Sequence, residues 1–74
     1  MSIKIGDKVT VNFDAVEYPL STRDCSVDTV YTIIEAGYAQ RIDNDETEYG
    51  VRFFDDVGDS VELGEHEVSL VTIN

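Results

Sequence analysis

The side chains that could do chemistry in this sequence are one thiol, one imidazole and many carboxylates. Cys25 and His66 are its single cysteine and single histidine, so they form the one possible thiol–imidazole pair. Asp24 lies beside the thiol and Asp28 three residues on. Negative charge there disfavours a thiolate, the opposite of what a nucleophile needs. Cys25 therefore reads as a loop or core thiol. His66 stands between Glu65 and Glu67 without a cysteine cluster, so it does not make a zinc site. It reads as a surface histidine in a turn, with pH sensing as the alternative role.

The carboxylates offer hard oxygen ligands. Asp43-Asn44-Asp45-Glu46-Thr47-Glu48 is the densest run, but it fails the calcium-loop pattern, with Glu48 at the sixth position instead of Gly and Phe54 at the twelfth instead of Glu. The five glycines, at 6, 37, 50, 58 and 64, are scattered and build no phosphate-cradling loop. A carboxylate pair for glycoside hydrolysis needs a cleft that so short a chain rarely encloses. The expectation is no enzyme activity, no cofactor and no metal.

Charge is the strongest functional signal. Against 16 acidic residues there are 5 basic ones, and the net charge is -11. A basic nucleic-acid-binding face is excluded, since phosphate affinity comes largely from Lys and Arg. The charge is also uneven. Residues 1–42 carry six acidic and four basic side chains, whereas residues 43–74 carry ten acidic and one basic. The candidate contact residues of an acidic face are Asp43, Asp45, Glu46, Glu48, Asp55, Asp56, Asp59, Glu62, Glu65 and Glu67. Such a face suits a basic protein partner and raises the association rate by long-range attraction. One form of that reading is an inhibitor whose carboxylates occupy the phosphate groove of a nucleic-acid-binding protein. The competing explanation is that the charge serves solubility. A second binding mode would use an aromatic patch of Tyr18, Tyr38, Tyr49 and Phe54, reading Lys- or Arg-containing peptides by cation–π contact. A third reading is a homo-oligomer or a component of a larger assembly.

The elements that must position these groups are strands. With 74 residues the chain is one small domain, near the size below which stability needs help from a partner, metal or disulfide. One cysteine excludes an internal disulfide, and no apolar run approaches the roughly 20 residues of a membrane span. The start shows no secretory signal, so the expected location is the cytoplasm.

Ile3, Ile5, Val9, Val11 and Phe13 fall on odd positions and predict a half-buried strand interrupted by a turn at Gly6-Asp7. Residues 14–26 predict a long loop, in which Pro19 disfavours a central strand. Val27 to Ala36 reads as a central strand, apolar on both faces, that Gly37 ends or kinks. Residues 43–48 predict an acidic turn. Residues 49–54 and the returning strand of Val61 and Leu63 predict a hairpin about Asp55–Asp59. Residues 64–67 predict a single helical turn, and a final strand follows from Val68.

The opening Lys4-Ile5-Gly6-Asp7-Lys8-Val9-Thr10-Val11 resembles that of many SH3-like barrels, including Tudor-like and KOW-like ones. The ending Glu62-Leu63-Gly64-Glu65-His66-Glu67-Val68-Ser69-Leu70-Val71 resembles their closing strand and its preceding turn. The pattern covers most of the chain. It implies an all-β fold: a small barrel of five to six antiparallel strands with a long first loop. The size and style also resemble small phage-encoded proteins with such barrels, which would place the chain in a host cytoplasm. The sequence departs from true SH3 domains in having no Trp, and from KOW elements in having no glycine between Asn12 and Leu20.

Overall fold

The computed structural model describes residues 3–41 and 47–71. It is all-β, with six strands: β1 (Lys8–Val11), β2 (Tyr31–Thr32), β3 (Glu35–Arg41), β4 (Thr47–Phe54), β5 (Ser60–Gly64) and β6 (Val68–Leu70). Two 3-10 turns, Pro19–Thr22 and Glu65–Glu67, complete the regular structure.

The strands form two three-stranded antiparallel sheets, in the orders β2-β1-β6 and β3-β4-β5. The ladders do not run on into a closed barrel. Two crossings connect the sheets. At Ile33-Ile34 the chain bends from β2 into β3, and the Ile34 amide donates to the Arg52 carbonyl at 2.8 Å. At the other crossing the second 3-10 turn carries the chain from β5 to β6.

The core lies between the sheets. Val9 and Val11 enter it from β1, Tyr31 from β2, Ile33 from the bend, Val51 and Phe53 from β4, and Val61 and Leu63 from β5; Ile3 and Val68 close it. Alternation explains this selection, because successive side chains on a strand point to opposite faces. The Tyr31 and Phe53 rings meet at a centroid distance of 4.9 Å and an interplanar angle of 32°, a tilted packing that aromatic quadrupoles favour.

Three expectations are corrected. Ile5 does not share the buried face of Ile3. Gly6, at φ 93, and the Asp7 amide bonded to the Lys4 carbonyl make a turn with Ile5 at its corner, and Ile5 is exposed. Phe13 likewise lies beyond the end of β1 and is exposed. Val27–Val30 is not strand: a turn closes there, with Asp28 at φ 61, and Val27 and Val30 face solvent. Local β-propensity yields because this segment has no ladder partner, β1 being paired to β2 only at Lys8 and Val9. Finally, the strands on either side of the bend are edges, and β1 and β4 are the central strands. The segment looks apolar on both faces because it passes from one sheet to the other.

Other expectations match. Gly37, at φ 83, sits at the register shift between Ala36 and Tyr38, a bulge that kinks β3. The Asp55–Asp59 hairpin forms, with Gly58 at φ 88. The single helical turn occupies Glu65–Glu67. Of the expected acidic turn, residues 43–46 lie outside the described residues, and Thr47 and Glu48 already belong to β4.

Candidate functional site

The carboxylates foreseen as one face divide into different kinds of group. Asp55 shapes its own turn: its Oδ1 accepts the amides of Val57 at 3.1 Å and Asp59 at 2.9 Å. Asp56 points toward the long loop. Its Oδ1 accepts the Tyr31 hydroxyl at 2.9 Å, its Oδ2 accepts the Ser26 hydroxyl, and its amide donates to the Asp24 carbonyl at 3.2 Å. The Tyr31 hydroxyl in turn accepts the Ser26 amide at 2.7 Å.

Glu62 lies on the outer face of the second sheet. Arg52 sits between Glu62, at 2.6 Å, and Glu35, at 3.4 Å. The only basic residue of the acidic half is thereby shared by two carboxylates. Glu65 is half-buried and accepts the Ile3 amide at 2.9 Å. Glu67 is the clear correction to the acidic face. It is buried, and its two oxygens accept the amides of Gly64 and Glu17, both at 2.8 Å. The bond to Gly64 is the reaching-back half of a capping box, which the sequence does not signal because glycine at the cap has no side chain to complete it. Glu48 is placed by its backbone in β4 opposite Gln40, and Asp43, Asp45 and Glu46 lie outside the described residues.

The fold adds a residue that the charge pattern missed. Asp24, from the long loop, meets Asp55 and Asp59 of the hairpin, with one carboxylate oxygen of each within 4.8 Å of the others. No sequence signal joins these positions, which are brought together by the loop folding against the hairpin. The three carboxylates border a groove of about 260 Å³, with Leu20 and Val61 as apolar lining. Arg23 also lines it, its Nε 3.4 Å from Asp24 Oδ2, with both side chains solvent-accessible.

Two of the aromatic candidates do not share a face. Tyr49 and Phe54 are both exposed, near opposite ends of β4 and on opposite faces by strand alternation. Tyr18 is exposed at the start of the first 3-10 turn, and Tyr38 lies in β3 by its backbone. The aromatic residue with the richest polar contacts is Tyr31, whose ring is in the core.

Cys25 is half-buried and packs on the core. Burial raises its thiol pKa above the usual 9.0; the Tyr31 hydroxyl opposes this, and Asp55, Asp56 and Asp24 add to it. Burial likewise raises the Tyr31 hydroxyl above 10.0, partly offset by the Ser26 amide, while Asp56 adds to the rise. Both groups are harder to ionise when folded. Their stability contribution is complete below the unfolded values and is lost as pH rises through the folded ones. Alkaline titration followed by circular dichroism is therefore expected to show stability falling above pH 9. Cys25→Ala should delay the onset; an onset unchanged in Cys25→Ala would show that the thiol does not contribute.

Compared with known proteins, the chain matches no family model, no curated protein and no solved structure.

Proposed function

We propose that this chain is a small, non-enzymatic binding protein that engages a basic protein partner through its acidic surface. The observation that carries the reading is the meeting of Asp24, Asp55 and Asp59 beside a mostly polar groove to which Leu20 and Val61 add apolar lining. Three clustered carboxylates attract a Lys or Arg side chain, and Leu20 and Val61 can pack against its methylene stem. The contact face in this reading centres on Asp24, Asp55 and Asp59, extends to Glu62, and leaves out the buried Glu67. An inhibitor of a host nucleic-acid-binding protein, of the kind phages encode, is the form of this activity that such charge suits best. The cytoplasm is its expected location.

The fold fits a binding role. The strand order, the bend shared between the sheets and the 3-10 turn before the last strand all support an SH3-like relationship, with the long loop and the hairpin placed side by side. The aromatic-patch alternative has no assembled patch among the described residues to support it.

The test is capture from a bacterial lysate at low salt, followed by elution with a salt gradient. One dominant basic protein released at moderate salt is expected, because screening acts over about 8–10 Å at 0.1–0.15 M. The Asp24→Asn/Asp59→Asn double variant should keep its fold, with equal or greater stability from relieved repulsion, and lose that capture at least tenfold. Equal capture by the double variant, or binding indifferent to salt, would overturn the reading.

A further inference from the structure

The long loop between β1 and β2 is fastened in two different ways. Near its start the Asn12 amide donates to the Glu67 carbonyl at 2.9 Å, and the Glu17 amide to the buried Glu67 carboxylate at 2.8 Å. Residues 18–26 are held more lightly. Tyr18 and Leu20 stand exposed, and Thr22 is the buried residue of the 3-10 turn. This turn packs against β5, an edge strand. Cys25 packs on the core from one side, and the polar hold is at Asp56, whose carboxylate takes the Ser26 and Tyr31 hydroxyls and whose amide reaches Asp24. Across the same seam Asp24 faces Asp55 and Asp59, so like charges push the loop from the hairpin that Asp56 binds it to. Where the segment rejoins the sheet, Asp28 has a φ of 61, which costs a residue with a side chain more than it costs glycine.

We infer that residues 18–26 form a strap that opens as a unit while both sheets stay folded, with Asp56 as its latch. Glu17, tied to a buried carboxylate, and Asp28, at the positive-φ turn, bound the moving part. Opening withdraws one wall of the groove, uncovers the side of β5 against which the 3-10 turn packs, and exposes the Cys25 thiol. Local opening of this kind belongs to segments with few buried contacts and several exposed ones. The inference does not rest on the binding reading, because it concerns the free protein.

The sole cysteine makes the opening measurable. Labelling of Cys25 by a thiol reagent is followed in increasing urea below the unfolding transition, in the free chain. Asp56→Asn is expected to speed labelling at least tenfold and Ser26→Ala several-fold. Glu35→Gln, at the exposed ion pair with Arg52, should leave the rate unchanged. The urea dependence of labelling should be much weaker than that of global unfolding. Labelling of Asp56→Asn at the parent rate would overturn the inference. So would a urea dependence equal to that of global unfolding, which would mean that the thiol is reached only when the whole domain opens. Should Asp56→Asn fail to fold, Ser26→Ala and the urea dependence of the parent protein decide the matter.

Discussion

Glu67→Ala is expected to lower the free energy of unfolding by about 2–4 kcal/mol. The reason is the position of its carboxylate. It is buried and joins two places far apart in sequence, the Gly64 amide at the start of the second 3-10 turn and the Glu17 amide in the long loop. Removing it leaves two amide donors without an acceptor in a region that water reaches poorly. Glu67→Gln retains one carbonyl oxygen but turns its amide group toward the other donor, so it should lose roughly 1–3 kcal/mol. Urea unfolding followed by circular dichroism measures both. A loss below about 1 kcal/mol for Glu67→Ala would mean that water replaces the carboxylate without difficulty. That result would return Glu67 to the solvent-facing acidic surface. The same substitution should leave salt-dependent partner capture intact in whatever fraction remains folded.

Phe53→Ala is expected to cost more, about 3–5 kcal/mol. Phe53 is fully buried near the end of β4, where its ring packs against that of Tyr31. A domain of this length has a total stability of roughly 4–11 kcal/mol, so the variant should lose a large share of it and unfold at temperatures the parent survives. Loss of dispersion in the one-dimensional proton NMR spectrum would report this directly. Phe53→Leu, which keeps most of the volume, should lose far less and remain folded. Equal behaviour of the two variants would show that retained volume at this position does not set the stability. Loss of the Phe53 ring also removes a packing partner of Tyr31, whose hydroxyl meets Asp56, so damage at the core should reach the long loop.

Much of the fold was legible because the strongest signals are local. Val9 and Val11, Val51 and Phe53, and Val61 and Leu63 alternate with polar or outward residues, and the turns between them carry Asp and Gly. What was hidden depends on contacts across the chain. Ile5 has the right parity but is exposed, because it sits at the corner of the turn that Gly6 makes at positive φ. Val27 and Val30 have strand composition, but no neighbouring strand reaches them. The acidic pattern showed how much charge there is and not where it points. Glu67 is bound to the amide of Glu17, and Asp24 is carried to the hairpin by a loop whose path no periodicity encodes. Charge counting treats a solvated carboxylate and a backbone acceptor alike, and only their partners separate them.

The pairing order also carries a consequence for how the chain acquires its shape. The β3-β4-β5 sheet is a meander of neighbours, so each ladder closes over a short stretch of chain. The other sheet pairs Val9 with Leu70 and Val11 with Val68, residues near opposite ends of the sequence. Closing so long a loop precedes the stabilisation that repays it, and topologies with such contacts fold slowly. During synthesis the meander can form first, while β1 waits beside it without its second neighbour. One edge of β1 then stays unpaired until β6 has left the ribosome. The interval before β6 arrives is when this chain is most open to misassociation, and its surplus of negative charge is present from the meander onward to keep nascent copies apart.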